Sequence, residues 1–107
     1  MKEGCTFSHW GIPTTEEKPG MTYIEGIKTA ITDFAASPFA VEWLKFDADC
    51  TMPKLIQQMP HVAFIVKDMT AALAGEKVIV DPFPVGDNLV CAFIEGDGFA
   101  VELMQFK

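Results

Sequence analysis

The 107-residue chain holds two histidines, His9 and His61. Each is followed, well downstream, by a glutamate set in an apolar row: Glu42 within FAVEWLKF (39–46) and Glu102 within FAVELMQF (99–106). Two imidazoles and two carboxylates form a mixed nitrogen and oxygen set that suits a divalent metal such as zinc, nickel, cobalt, manganese or iron. A carboxylate in an apolar row needs a partner, because burying it bare costs several kcal/mol. In a strand, residues two apart share a face. By that rule His9 lies with Phe7 and Gly11, and His61 with Ala63; Ala40 and Ala100 share the faces of Glu42 and Glu102. The small residues Gly11, Ala40, Ala63 and Ala100 leave space beside each polar head, as a cavity floor requires. The His–Glu pairs are distant in sequence, so the set converges only if the two halves of the chain fold onto each other.

An internal repeat says how that happens. The two octapeptides agree at five of eight positions, and two further positions swap one apolar residue for another. Both read as strands on their Val, Phe and Leu content. Upstream, IKTAITD with a turn-like FAASP precedes the first, and LVCAFIE with Gly-Asp-Gly precedes the second; each reads as a hairpin feeding the octapeptide. Earlier still, FSHWGIP (7–13) and HVAFIV (61–66) read as strands that carry the histidines. In the second half, DMTAALAG (68–75) predicts a helix with Asp68 as N-cap and Gly75 as stop. The first half has TTEEKPG (14–20) there, which reads as a loop. The second half is therefore βαβββ, and the first is the same with its helix lost. TMPKLIQQM (51–59) fits a short linker helix with proline in its first turn. The expectation is an α+β fold in one domain spanning 1–107: module one at about 6–46, a linker over 47–59, and module two over 60–107.

Paired βαβββ modules with His on each first strand and Glu on each last strand resemble the vicinal oxygen chelate superfamily, which includes glyoxalases, extradiol dioxygenases, methylmalonyl-CoA epimerases and bleomycin-resistance proteins. HVAFIVKDMTAALAG and the closing VAFIEGDGFAVELMQF carry the resemblance most strongly, with Cys91 where valine is usual (in this chain VCAFIEGDG). The resemblance implies a glyoxalase-like, cup-shaped mixed sheet around a central divalent metal held by His9, Glu42, His61 and Glu102. A filled fourth ligand position favours non-redox chemistry over the dioxygenase branch. The implied function is a lyase or isomerase acting on a small carbonyl or vicinal-oxygen compound by metal-assisted proton abstraction, with Glu102 or Glu42 as base and Glu102 preferred on resemblance. The alternative is a non-catalytic small-molecule-binding protein of the bleomycin-resistance kind. Trp10 and Trp43 are candidates for the mouth of the site, against the plainer reading of both as core aromatics.

Composition narrows the partners. Fifteen acidic against eight basic residues leave a net charge of -7, which disfavours nucleic acid and anionic membranes. All eight cations are lysine, so the planar two-pronged grip of arginine on carboxylate or phosphate is missing. A glutathione or CoA substrate is accordingly disfavoured, and a small, weakly charged one expected. No apolar run approaches a membrane span or a signal h-region, and three widely spaced cysteines do not form a disulfide framework, so a cytoplasmic location is expected. Without a helix in module one, one sheet face is left uncovered, and a homodimer is expected to cover it.

Overall fold

The computed structural model describes residues 2–107. Module one contains β1 (Cys5–Pro13), β2 (Thr22–Ile24), β3 (Thr29–Ile31) and β4 (Val41–Phe46), with single 3-10 turns at Glu25–Ile27 and Phe34–Ala36. The linker forms α1 (Lys54–Gln58). Module two contains β5 (His61–Val66), α2 (Met69–Leu73), β6 (Lys77–Val85), β7 (Leu89–Gly96) and β8 (Phe99–Phe106). All the strands join one curled mixed sheet in the order β2-β3-β4-β1-β5-β8-β7-β6. Antiparallel β1 and β5 lie at its centre, and each is flanked by the last strand of its own module, running parallel to it. The two halves thus repeat about a pseudo-two-fold axis between β1 and β5.

Local chemistry explains the better-formed half. Asp68 accepts a hydrogen bond from Ala71 N at 3.2 Å, and Gly75 ends α2 at φ +75°. Asp97 and Gly98 both have positive φ, the signature of a type I′ turn, and Gly96 pairs with Phe99 across it. The outward residues Val66, Ala92, Ile94 and Leu103 then pack under Met69 and Ala72 of α2. Pro53 stands immediately before α1, whose Ile56 is fully buried against Phe93 and Ala100. The 14–20 segment is irregular, as expected, and Lys18 lies over the Trp43 ring at 4.6 Å from its centroid.

Two details depart from strict alternation, and a third follows from it. The β1–β5 register shifts between Phe7 and His9, with Phe7 opposite Phe64 and His9 opposite Ala63. Ser8 is the extra residue of that bulge, so Phe7 turns to the outer face instead of sharing the face of His9. The repeat also breaks at its start: β4 begins at Val41, Ala40 adopts φ +56°, and Phe39 is 79% exposed. Ala40 therefore does not share a strand face with Glu42, whereas Ala100 is buried within β8. Finally, Trp10 and Trp43 each follow an inward ligand by one residue and so belong to the outer face, not the mouth of the cup. Among the described residues no helix is long and apolar enough to cross a membrane.

Candidate metal centre

The four central strands deliver one ligand each. Across β4, β1 and β5, Glu42 is level with Gly11 and Gly11 with His61; across β1, β5 and β8, His9 is level with Ala63 and Ala63 with Glu102. These two rows exchange under the pseudo-two-fold axis. His9 and His61 are buried, and the two glutamate side chains are 12% exposed. His61 Nε2 lies 3.2 Å from Glu102 Oε1, and His9 Nε2 lies 3.6 Å from the same atom and 3.7 Å from Glu42 Oε1. Donor atoms of all four residues lie within 4.8 Å of one another. All four residues named from the sequence are therefore together.

Of the four small residues expected to leave space beside the ligands, Gly11 does so. A Cβ on Gly11 would come 2.1 Å from His61 Cε1, so the His61 ring occupies the space that a side chain would take. Ala63, at the symmetry-related place, keeps its Cβ. The His9 ring instead stacks on Phe34 at 4.1 Å between centroids and 12° between planes, and His61 meets Phe93 edge-on at 5.2 Å. Ser8 Oγ lies 2.9 Å from His9 Nδ1. Were Nε2 to hold a metal, Nδ1 would carry the proton and donate a hydrogen bond to Ser8 Oγ, fixing the ring. Ser8 and Phe34 were not found from sequence. Ser8 adjoins a histidine, a signal that existed; Phe34 sits in the turn-like FAASP, which gave none.

The electrostatics follow from this crowding. Burial alone would lower the pKa of His9, but the Glu102 and Glu42 carboxylates outweigh it and raise it to about 9. Burial would raise that of Glu102, and contacts with His61 and His9 outweigh it and lower it to about 2. Cys91 lines the same cavity, and burial, followed by the Glu102 charge, pushes its thiol up, so it stays protonated.

A divalent ion fits these residues. Bonds of about 2.0–2.2 Å place opposite ligands at most about 4.4 Å apart, so small inward shifts would close the set on one ion. His9 Nε2 is buried without a hydrogen-bond partner, as a free ligand atom would be. Two carboxylates balance the charge of a divalent cation. Above the ligands is a cavity of about 180 Å³ whose walls include Ile27, Ile31, Leu44, Phe46 and Met104.

Comparison with solved structures bears on the fold. A hypothetical protein from Bacillus halodurans C-125 superposes with a TM-score of 0.72 at 20% identity, over 98% of this chain and 96% of that one. Methylmalonyl-CoA epimerase from Mycobacterium tuberculosis gives 0.61 at 18% identity, over 94% and 87%. The fold is glyoxalase-like. At these identities the likeness establishes the glyoxalase-like fold and not an activity. No protein-family model matches the chain, and no curated protein matches it in sequence.

Proposed function

We propose that the protein is a metal-dependent lyase or isomerase that moves a proton beside the carbonyl of a small vicinal-oxygen compound. The observation that carries this reading is the convergence of His9, Glu42, His61 and Glu102 donor atoms within 4.8 Å at the floor of an apolar cavity. The kinship of fold with an epimerase supports an isomerase-type reaction. His9, Glu42, His61 and Glu102 would hold the ion. A divalent ion bound there supplies Lewis-acid polarisation of a carbonyl oxygen.

The chain's own residues do the remaining work. The apolar walls keep water from the reacting carbon. A glutamate would take the proton from the hydroxyl-bearing carbon next to the carbonyl and return it at the former carbonyl carbon, while the hydroxyl proton passes to the former carbonyl oxygen. Resemblance favours Glu102 for this role, but the contacts favour Glu42. Glu102 Oε1 is approached by both histidines, and that stabilisation of its anion makes it the weaker base. Glu42 Oε1 meets His9 alone, at 3.7 Å, and also borders a second, open cleft beside Thr32 and Asp33. Glu42 is thus the freer carboxylate, and Glu102 the firmer ligand.

Elemental analysis of untagged protein, paired with deuterium exchange at carbon in hydroxyacetone followed by NMR, tests this. The expected result is one metal per chain and exchange above the metal-only blank. Glu42→Gln should slow exchange by about 10²–10⁴-fold while keeping more metal affinity than Glu102→Gln. A native protein free of metal and without exchange would turn the reading to the non-catalytic binder. Three free thiols support a reducing, cytoplasmic location, and a second copy of the chain is the proposed partner.

A further inference from the structure

The cavity above the metal centre shares part of its lining with a second cavity. Ile24, Ile27, Met52 and Phe83 also line a second, outer chamber of about 520 Å³. These four residues, from the β2–β3 hairpin, the linker and β6, stand between the two chambers and would bound a neck joining them. Beyond the neck the outer chamber is walled by Ile79, Val80, Pro53 and Pro84, with Thr51 as the one polar side chain. Ile24, Ile27, Met52, Ile79, Val80 and Phe83 are all half-buried. Apolar side chains left partly in water along one continuous wall gain most from an apolar occupant.

Charge says what the occupant cannot be. No lysine lines either chamber. Lys28, nearest to the neck in sequence, is held by Asp49 at 2.5 Å, and Lys54 next to Pro53 is exposed on α1. Glu42 and Glu102 would cancel the charge of a bound divalent ion, so the loaded inner chamber has no surplus positive charge to attract an anion. An anionic group drawn against the apolar lining of either chamber would give up part of its hydration without gaining a cation.

We propose that the two chambers take one uncharged molecule, its vicinal oxygens at the His9/Glu42/His61/Glu102 floor and an unbranched apolar tail running through the neck into the outer chamber. This rests on the metal-site reading given above and adds the class of its ligand. Tail methylenes should strengthen binding by up to about fourfold each where fully buried, and less where the chamber opens to solvent.

The test is calorimetric titration of cobalt(II)-loaded protein with three matched probes: hydroxyacetone, hydroxymethyl hexyl ketone, and the same ketone chain ending in a carboxylate. The hexyl ketone should bind at least tenfold more tightly than hydroxyacetone, and the carboxylate at least tenfold more weakly than the hexyl ketone. Thr51→Arg, at an exposed position of the outer wall, installs the missing cation. It should recover at least fivefold for the carboxylate probe relative to the hexyl ketone. Equal binding of hexyl ketone and hydroxyacetone, or of hexyl ketone and carboxylate, would overturn the inference and leave the metal site standing. So would failure of all three probes on protein that has taken up stoichiometric cobalt. Failure to take up cobalt, or hydroxyacetone binding unchanged without it, would instead overturn the metal-site reading; the ranking of hexyl ketone against carboxylate still scores the tail.

Discussion

Module two builds its half of the cup from strands of nine, eight and eight residues beyond β5, and covers its outer face with α2. Module one spans the same ground with strands of three, three and six residues, two single 3-10 turns and an irregular loop where the helix would be. Its outer face keeps Phe7 at 44% and Trp10 at 45% exposure. Yet both modules bring a histidine and a glutamate to the same point. The four ligands are therefore delivered by four strands, whatever lies beyond them. β1 with β4 and β5 with β8 are parallel pairs locked by the antiparallel β1–β5 seam, and nothing farther out sets the ligand register. The periphery of module one has shortened without moving Glu42.

The halves differ most sharply at the seam, where Gly11 answers Ala63. Adding a methyl at Gly11 should be the most damaging small change in the protein. The new Cβ would overlap the His61 ring at 2.1 Å, and that ring is fully buried and cannot swing into water. Gly11→Ala is expected to destabilise the fold by about 1–3 kcal/mol and to weaken metal binding by about 10–100-fold. Ala63→Gly, which only removes a methyl from the matching place, should leave metal affinity within a few-fold of the parent. Competition with a chromophoric chelator reads both. If Gly11→Ala binds metal like the parent, the seam does not position His61 as described.

Much of this architecture is legible in the residues. The octapeptide repeat marks β4 and β8, the histidines mark β1 and β5, and alternation puts Glu42, His61 and Glu102 on the inner face. Asp68 and Gly75 bound α2 because capping is local chemistry. What stays hidden is whatever depends on a neighbour in space. The Ser8 bulge that turns Phe7 outward is a property of the β1–β5 pairing. The left-handed Ala40 follows from how the chain enters β4, where no Gly-Asp-Gly turn guides it. The firmer hold on Glu102 than on Glu42 arises from ring positions that stacking on Phe34 and space over Gly11 decide. Trp10 and Trp43 were legible: each adjoins an inward ligand, and alternation alone sends both to the outer face.

That outer face carries the next largest expected effect. Phe7 packs against Trp10 at 6.0 Å and Phe64 at 6.3 Å between centroids, forming an aromatic cluster that module two would have covered with a helix. A second copy of the chain is expected there, seen by light scattering as a dimer at tens of micromolar. Trp10→Glu should weaken the dimer by tenfold or more, since buried interface tryptophans commonly contribute about 2 kcal/mol or more. Metal stoichiometry should not change, because Trp10 points away from the site. A monodisperse parent monomer would leave the face of module one uncovered in solution and end this explanation of its shortened periphery.

The gentlest probe of the contrast is pH. In the metal-free protein the module-one histidine, His9, faces Glu42 and Glu102, with His61 and the protonated Cys91 thiol nearby. Its pKa rises from an ordinary 6.5 to about 9, so its proton favours the folded state. That stabilisation is complete below pH 6.5 and is lost as pH rises through 9. Glu102, lowered from 4.5 to about 2, works at the other end: its contribution is present above pH 4.5 and is lost as pH falls through 2. The metal-free protein should therefore melt highest between about pH 4.5 and 6.5, and its Tm should drop by several degrees on the way to pH 9. Bound metal needs the neutral imidazole, so loading near pH 7.5 should release up to about one proton per chain and flatten the alkaline slope. His9→Gln should flatten the same slope without metal. A metal-free Tm constant from pH 6.5 to 9 would mean that His9 does not hold its proton between the two carboxylates.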